Sequence, residues 1–381
     1  MRPRERVLAA LAGEETFPIP ADVFESCITP KLAARLLQHF GLDTADHEGL
    51  LDALGACVRW ALPRYAGPPQ EEDPTREAIY PLRKVTRGIW GTWEGLETYY
   101  DGLDRPLRFA DSVAAIEAYA WPDPDWFDYE TLGWYYDPPE AYRPMSAWVA
   151  RHAEQARVIG GWSPAFCCLM DLFGMETGLR SLVERPDLVR AALAHMGEFY
   201  EEFYRRLARS AQGKFDFLAF GDDFAGQGAM LLSPKMWRAY FLPLWRRLFA
   251  IAHEHGMKSL IHSCGSVRPI IGDWVDAGLD VLAVVQTKAA GMDPSELKQE
   301  FGRHLAFYGG LDTQHLLPNG SPEQVREEVR RLCDILGKGG GYIIASSHVL
   351  MDDVPSENVL SLYDEARSYV RRNTNAGWAT F

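Results

Sequence analysis

The chain has 381 residues, of which 47% are hydrophobic and 24% are charged, so it can form a large buried core. No apolar run approaches the roughly 18 residues of a membrane span, which predicts a soluble protein without a membrane partner. Acidic side chains outnumber basic ones by 53 to 39, and the formal net charge of −14 argues against nucleic acid as a partner, because phosphate backbones require a positive surface. The charged first residues and the six scattered cysteines indicate neither a signal peptide nor a disulfide framework, so we expect a cytoplasmic location.

The N-terminal part of the chain predicts two strands followed by an irregular segment. The strands fall at residues 17–24 and 57–63, where apolar residues lie between turn signals. Residues 64–142 are instead dense in Pro, Gly, Trp and Tyr, with a predicted β-hairpin from Lys84 to Tyr100 and an ordered aromatic loop from Trp121 to Pro139. We interpret this segment as an insertion into the fold.

The aromatic side chains of this insertion are predicted mainly as the core of the segment, with a few of them lining the site that it covers. They are Trp90, Trp93, Tyr99, Tyr100, Trp121, Trp126, Trp134, Tyr135 and Tyr136.

From about residue 155 onward, short apolar runs alternate with longer helical patterns, which is typical of βα units around a parallel sheet. Ser233 and Ser321, each followed by Pro, mark helix starts, and a long amphipathic helix is predicted from Pro186 to Ala211. The predicted strands are Arg157 to Trp162, Phe217 to Gly221, Lys258 to Ile261, Val281 to Val285, Leu305 to Gly309 and Tyr342 to Ala345.

With the two N-terminal strands these reach about eight, the number that closes a (β/α)8 barrel. The sequence therefore predicts an α/β fold, a single (β/α)8 TIM barrel over residues 1–381. The insertion 64–142 is expected to cover the barrel mouth.

The most informative motif is the strand that ends in His262-Ser263-Cys264. Successive strand side chains alternate faces, so the imidazole of His262 and the thiol of Cys264 point the same way. A mixed nitrogen and sulfur pair suits a borderline-soft metal such as zinc. A buried Cys beside a hydrogen-bonded His is the alternative that these two residues alone leave open.

Polar side chains also follow the other predicted strands. Because the C-terminal ends of barrel strands meet at one rim, these side chains are candidates for an active site. The candidate catalytic residues are His348, Asp222 and Asp223, the candidate metal ligands are His262, Cys264 and His348, and the candidate substrate contacts are Gln286, Asp312, Gln227, Tyr308 and Trp162.

Four of these candidates have more than one possible role. His348 would complete a site with three protein ligands and one open position, as in catalytic zinc centres, or would serve as a proton donor or an anchor for an anionic substrate. Asp222 and Asp223 could supply a fourth ligand, orient His262, or clamp a basic substrate. Asp312 follows two glycines, which is typical of a turn residue.

The sequence motifs resemble those of the uroporphyrinogen decarboxylase superfamily, which implies a (β/α)8 barrel in agreement with the strand count. At the N terminus, Arg4-Glu-Arg-Val-Leu-Ala-Ala-Leu-Ala-Gly and Pro18-Ile-Pro fit this resemblance. The other matching motifs are Gly-Asp-Asp-Phe-Ala-Gly-Gln at 221–227, Leu-Leu-Ser-Pro-Lys-Met-Trp-Arg at 231–238, His-Ser-Cys-Gly-Ser at 262–266, Tyr-Gly-Gly-Leu-Asp at 308–312, and Ser-His-Val-Leu-Met-Asp-Asp-Val-Pro-Ser-Glu-Asn at 347–358.

The sequence departs from true uroporphyrinogen decarboxylases at two places. Those enzymes resemble one another in an Arg-Gln-Ala-Gly-Arg stretch that holds substrate carboxylates, whereas this chain reads Phe24-Glu-Ser-Cys-Ile-Thr-Pro-Lys-Leu-Ala. They also carry a Tyr where this chain has Met170. An acidic tetrapyrrole would need several fixed cations, which a rim rich in Asp does not offer. Uroporphyrinogen is therefore disfavoured as the substrate.

The second branch of the superfamily consists of corrinoid-dependent methyltransferases, in which zinc bound by His-x-Cys and a distant Cys activates a thiol or another methyl acceptor. His262 and Cys264 match this motif. His348 falls where the distant Cys is expected, at a place where the decarboxylases carry a functional His. The resemblance implies zinc as a cofactor, a methylated corrinoid supplied by a partner, a small methylated substrate and a corrinoid carrier protein.

We therefore expect a zinc-dependent methyltransferase that moves a methyl group between a small substrate and a corrinoid carrier protein. Two alternatives stay open. One is a metal-free carboxy-lyase that uses His348 as a proton donor. The other is a non-catalytic protein that binds a corrinoid or a tetrapyrrole.

Overall fold

A computed structural model describes residues 1–76, 84–94, 104–134, 139–162 and 164–370 of the chain. The strands in these ranges are β1 (Val58–Tyr65), β2 (Thr86–Arg87), β3 (Trp93–Glu94), β4 (Phe127–Gly133), β5 (Arg143–Pro144), β6 (Ala156–Gly160), β7 (Phe217–Gly221), β8 (Lys258–His262), β9 (Val281–Val285), β10 (Ala306–Leu311) and β11 (Tyr342–Ser346). None of the helices in this part of the chain combines the length and apolar character needed to cross a bilayer.

The helices surround these strands and mostly connect one strand to the next. They are α1 (Pro3–Leu11), α2 (Pro30–Phe40), α3 (His47–Leu54), α4 (Val113–Glu117), α5 (Met145–Arg151), α6 (Phe166–Phe173), α7 (Met175–Glu184), α8 (Pro186–Ala211), α9 (Pro234–Tyr240), α10 (Leu242–Glu254), α11 (Arg268–Ala277), α12 (Pro294–Phe301), α13 (Leu316–Asn319), α14 (Pro322–Leu336) and α15 (Ser356–Ser368). The hydroxyls of Ser233 and Ser321 accept hydrogen bonds from the backbone of the first turns of α9 and α14, so both predicted helix starts are confirmed.

A parallel sheet forms the centre of the molecule. The strand order is β11-β10-β9-β8-β7-β6-β1-β4-β5, and all neighbours from β11 to β1 are parallel. β7 and β9 have the predicted bounds, and the ends of β6, β8, β10 and β11 differ from prediction by one or two residues. The predicted α/β fold is confirmed.

The parallel strands bury side chains on both faces. One face packs against the helices. The other forms a separate group that we call the inner cluster, to which α1 contributes Val7. Its larger members include Phe24, Trp60, Trp134, Phe217 and Tyr308.

The predicted strand at residues 17–24 is much shorter than expected. It forms an isolated bridge between Ala21 and Ile344, because Pro18 and Pro20 have no N–H to donate to a ladder. Around this bridge, the Asp22 amide donates to Ile344 O, and the Ile344 amide donates to Pro20 O, both at 2.9 Å. The Cys57 amide donates to Ala21 O at 2.9 Å, so this segment bonds to both β11 and the start of β1. The closed barrel stays a prediction at this stage.

The insertion is partly described. β2 and β3 pair antiparallel within the predicted hairpin from Lys84 to Tyr100, of which residues 95–100 lie outside the described residues. The predicted loop from Trp121 to Pro139 is wrong, because β4 forms there and extends the sheet beside β1. The alternation of Phe127, Tyr129 and Thr131 with acidic residues is a strand pattern that the surrounding Pro and Trp residues obscure.

The aromatic residues of the insertion pack mainly as a core. Trp90 contacts Phe199 and Tyr200 of α8, with ring centroids 5.1 and 5.4 Å away. Trp121 stacks on His195 of the same helix at 4.9 Å. Trp134 instead joins the inner cluster beside Trp60. Tyr99, Tyr100, Tyr135 and Tyr136 lie outside the described residues.

The buried guanidinium of Arg59 ties β1 to α3. Arg59 is 2% exposed, and it donates to Glu48 at 2.8 Å and to Asp52 at 2.5 Å. We expect Arg59→Met to lower the free energy of unfolding by about 3 kcal/mol, since two carboxylates lose their cation. Arg64→Met, also in β1, breaks an exposed pair with Asp128 of the neighbouring strand β4 and should cost less than about 1 kcal/mol.

Unfolding of the two variants in guanidinium chloride measures the difference between their free energies of unfolding. Equal losses of stability would contradict the assignment of a structural role to Arg59.

Candidate metal centre

Three side chains with metal-ligating atoms meet at the C-terminal ends of two strands. His262 is the last residue of β8, Cys264 lies in the turn that follows, and His348 comes two residues after the end of β11. One ligand atom from each lies within 4.8 Å of the other two. The structure therefore brings together all three predicted metal ligands.

The distances within this group suit a single ion. The Cys264 Sγ lies 3.5 Å from His262 Nε2, and the rings of His262 and His348 have centroids 5.7 Å apart. Tetrahedral zinc bonds of about 2.0 Å to nitrogen and about 2.3 Å to sulfur place the two donor atoms about 3.5 Å apart. Two imidazoles and one thiolate form a donor set that fits zinc and leaves a fourth position for a substrate.

Glu25 is the functional candidate that the sequence interpretation missed. Its Oε1 lies 3.2 Å from Nδ1 of His262, on the opposite side of the ring from Cys264. Burial lowers the pKa of His262, but the hydrogen bond and charge of Glu25, with the charge of Asp223, outweigh burial and raise it above its usual value. Glu25 can thus orient the imidazole and present Nε2 toward the thiol.

The backbone around Glu25 has an uncommon conformation. Glu25 and Ser26 have φ angles of 52° and 51°, in the left-handed region that residues other than Gly rarely occupy. Such conformations cost of order 1 kcal/mol each and cluster at functional sites. The signal in the sequence was position alone, since Glu25 follows the first predicted strand as the other candidates follow theirs.

The loop that carries Cys264 is fixed by side-chain oxygens. The Cys264 amide donates to Asp223 Oδ1 at 2.6 Å, and the Gly265 amide donates to Gln286 Oε1 at 2.9 Å. Gln227 donates to the same Gln286 oxygen at 2.5 Å. Asp223, Gln286 and Gln227, predicted as catalytic or substrate contacts, thus position this loop.

Gly265 is required at its place for a steric reason. Its φ is 80°, and an added Cβ would lie 2.5 Å from the carbonyl oxygen of Gly226. The close approach brings the Cys264 loop against the segment that follows β7, which carries Asp223. Burial raises the pKa of the Cys264 thiol well above its usual value, and the charges of Asp223 and Glu25 raise it further.

His348 is anchored through its backbone. The Ser346 hydroxyl donates to its carbonyl oxygen at 2.6 Å. Burial lowers the pKa of His348, and the neighbouring charge of His262 lowers it further. A neutral imidazole is the form that binds a metal.

The structure does not bring Asp222 into the group of ligand atoms. Its buried carboxylate accepts hydrogen bonds from the amides of Ala165, Phe166 and Cys167 at the start of α6, at 2.8–3.1 Å. Burial raises the pKa of Asp222 to about 7 in spite of these bonds. This carboxylate therefore caps a helix, and the sequence pattern could not separate it from Asp223.

Two predicted substrate contacts also belong to the structure of the fold. Asp312 accepts hydrogen bonds from the amides of Gln314, His315 and Leu316, as a turn residue does. Tyr308 is completely buried in the inner cluster, where its hydroxyl donates to the buried carboxylate of Asp22. Strand alternation explains this placement, because Tyr308 faces inward below the strand end.

Trp162 lies beside the candidate metal centre. Its ring meets the His262 ring edge to face, with centroids 5.5 Å apart, and it is 37% exposed. An added Cβ on Gly221 would lie 2.8 Å from Trp162 Cε3, so the indole lies against the end of β7. Phe24 contacts His262 with a centroid distance of 5.3 Å. The imidazole is thus enclosed by aromatic rings, one of which is open to solvent.

A family model described as uroporphyrinogen decarboxylase (URO-D) matches residues 139–369, which hold β6 to β11 and all three candidate ligands. The chain belongs to the uroporphyrinogen decarboxylase family. Its curated relatives carry two kinds of name, so membership alone does not give the activity.

Methyltransferases are prominent among these relatives. A methylcobamide:CoM methyltransferase MtaA from Methanosarcina barkeri is 22% identical over 205 residues, 54% of this chain and 56% of that protein. A methylated-thiol–coenzyme M methyltransferase from Methanosarcina mazei is 30% identical over 115 residues, 29% of each chain. The chain thus spans about half the length, or less, of the curated relatives it matches.

Other relatives carry the decarboxylase name. A uroporphyrinogen decarboxylase from Pseudoalteromonas translucida is 31% identical over 91 residues, 23% of this chain and 24% of that protein. Among solved structures, a methyltransferase from Methanosarcina mazei aligns over 96% of this chain and 98% of its own, with a TM-score of 0.60 and 16% identity. The likeness to this solved structure concerns the fold alone. The sequence relatives fit the methyltransferase branch of the uroporphyrinogen decarboxylase family.

The structure locates both departures from the decarboxylases. Glu25, in the segment where the resemblance leads one to expect arginines, places a carboxylate against His262 of the candidate metal centre. Met170, where a Tyr is expected, is fully buried in α6, and an added Cβ on Gly178 would lie 2.7 Å from its Cε and sulfur. This member of the uroporphyrinogen decarboxylase family therefore has an acidic group at the first position and an apolar group at the second.

Proposed function

We propose that this protein is a zinc-dependent methyltransferase that moves a methyl group between a small substrate and a corrinoid carrier protein. The observation that carries the proposal is the group formed by His262, Cys264 and His348, whose ligand atoms lie within 4.8 Å of one another. Chance rarely assembles two imidazoles and a thiol at the ends of two separate strands.

We infer that the sheet closes into a (β/α)8 barrel, with segment 20–22 as its eighth strand. This segment bonds to both β11 and the start of β1, which are the two ends of the parallel set. In a flat sheet, β8 and β11 would lie about 14 Å apart, because two strands separate them and neighbours are spaced by about 4.8 Å. The meeting of His262 with His348 supports a sheet that curls around a common centre.

In this proposal the chain supplies a prepared site. Zinc held by His262, Cys264 and His348 would act as a Lewis acid, lowering the pKa of a thiol or hydroxyl acceptor. Glu25 orients His262, while Asp223 and Gln286 hold the Cys264 loop through its amides.

The inner cluster below the centre is apolar and would exclude water from the reacting groups. Trp134 brings the insertion into this cluster, with its ring centroid 5.6 Å from that of Trp60. This contact supports the proposal that segment 64–142 covers the barrel mouth. A methylated corrinoid on a carrier protein would approach from that side. The name of one relative, methylcobamide:CoM methyltransferase, supports a corrinoid as the methyl carrier.

A carboxy-lyase is the second candidate, and the position of His348 favours it. This residue stands at the place where the decarboxylases carry a functional His, and in a lyase it would donate the proton that replaces the lost carboxylate. The acidic residues that face the site oppose this function, because Glu25 and Asp223 would repel a substrate carboxylate.

Metal analysis tests the proposed function. We expect protein purified without chelator to contain about one zinc per chain, because the donor set offers three ligands to one ion. Cys264→Ala should lose this zinc, whereas Cys333→Ala, which changes a buried Cys in α14, should retain it.

Activity then separates enzyme from binding protein. Zinc-loaded protein should demethylate methylcobalamin in the presence of small thiols, and the corrinoid absorbance should report this change. A metal-free wild-type protein that still releases carbon dioxide from a carboxylate substrate would overturn the proposal in favour of the lyase.

A further inference from the structure

We propose that the small substrate of this site is an alkylammonium compound, with its positive charge held between the carboxylates of Glu25 and Asp223 and the exposed ring of Trp162. This inference rests on the proposed function and deepens it by naming the substrate class. Three independent features of the described residues carry it: the carboxylates at the centre, the pairing of the nearby cations, and the aromatic wall.

Carboxylates dominate the electrostatic surroundings of the ligand atoms. Glu25 lies 3.2 Å from His262, and Asp223 accepts the amide of Cys264 at 2.6 Å. The charges of both act on Cys264 and on His348. A substrate that enters the fourth position of the metal centre therefore meets a negative potential.

A bound metal does not remove this potential. The two positive charges of zinc would offset the Cys264 thiolate and one carboxylate, so the second carboxylate leaves the site anionic. An anionic substrate would add a further negative charge in surroundings that burial makes poor in water. A substrate with a positive charge next to its reacting group would instead restore neutrality.

Basic residues near the His-x-Cys turn are directed elsewhere. Arg268, which begins α11 four residues after Cys264, pairs with Glu300 at 2.9 Å and more closely with Glu296. Lys288, two residues after Gln286, has a solvent-exposed side chain. Among the three ligand side chains, His262 forms an ion pair with the carboxylate of Glu25. Within the described residues, the centre thus has acidic partners, and the guanidinium of Arg268 outside it is already paired with carboxylates.

Trp162 adds an aromatic surface suited to a cation. Its ring meets His262 at a centroid distance of 5.5 Å, and with 37% of its surface exposed it borders solvent. The electron-rich face of an indole attracts alkylammonium groups, most strongly when carboxylates are also close.

Calorimetric titration with three matched probes tests the substrate class. The probes are choline, its uncharged isostere 3,3-dimethyl-1-butanol, and the anion 3,3-dimethylbutyrate, each added to zinc-loaded and to chelator-treated protein. We expect choline to bind about tenfold more tightly than the uncharged isostere, with the anion weakest, in both forms of the protein. Tighter or equal binding of the anion would overturn the inference.

Substitutions locate the binding. Trp162→Leu, which keeps apolar bulk without the ring face, should remove most of the preference for choline. Trp121→Leu is the matched control, since Trp121 stacks on His195 against α8, and it should keep that preference. Choline binding that survives Trp162→Leu unchanged would also overturn the inference.

The two proposals fail in different ways. If the protein contains no zinc and transfers no methyl group but still binds choline more tightly than the other two probes, only the proposed function is refuted. Normal zinc content with a preference for the anion would refute only the substrate class.

Discussion

His348→Cys should keep zinc in the protein, whereas His348→Ala should weaken zinc binding by more than about 100-fold. Cysteine and histidine are both zinc ligands, and the methyltransferase branch that the sequence resembles carries a Cys at this place. The side chain of residue 348 needs only to bring a donor atom within reach of His262 and Cys264. Alanine leaves two ligands, too few for a stable site.

This pair of variants also separates the two candidate functions. A methyltransferase in which His348 is a ligand retains zinc and methyl transfer in His348→Cys, measured under reducing conditions by metal analysis and by methylcobalamin demethylation. A lyase in which His348 donates a proton loses its activity in both variants. His39→Ala, which changes an exposed His on α2, is the control and should behave as wild type.

Much of the fold could be predicted from sequence because the signals are local. Buried strands such as Phe217–Gly221 and Val281–Val285 are continuous apolar runs between helices with clear Ser-Pro starts. The N-terminal strand and β4 were harder. Proline removes the ladder donors of the first, and turn residues surround the alternating pattern of the second.

The meeting of the three candidate ligands could be predicted from their positions at strand ends. His262, Cys264 and His348 follow strand ends, and the parallel sheet brings such residues together. Asp222 and Asp223 are adjacent and chemically identical, so only the structure shows that one caps α6 and the other holds the Cys264 loop. The role of a carboxylate depends on which amides face it, and no local sequence signal contains that information.

Glu25 shows the complementary case, in which a residue matters through a partner 237 positions away in sequence. We expect Glu25→Gln to lower zinc affinity by about 10-fold to 100-fold while the protein stays folded and binds zinc fully at high concentration. The carboxylate accepts a hydrogen bond from the Nδ1–H of His262, which fixes the tautomer that leaves Nε2 available to the metal and strengthens its donation. An amide is a weaker acceptor, and its NH2 group can meet Nδ1 instead.

Competition with a chromophoric zinc chelator measures this affinity without reliance on turnover. The matched control is Glu117→Gln, because Glu117 also bonds a histidine, His195, at 2.8 Å but lies in the insertion. That variant should leave zinc affinity unchanged. If Glu25→Gln binds zinc as tightly as wild type, the strained turn at Glu25 does not serve the metal centre, and its carboxylate is present only for the charge that it contributes to the site.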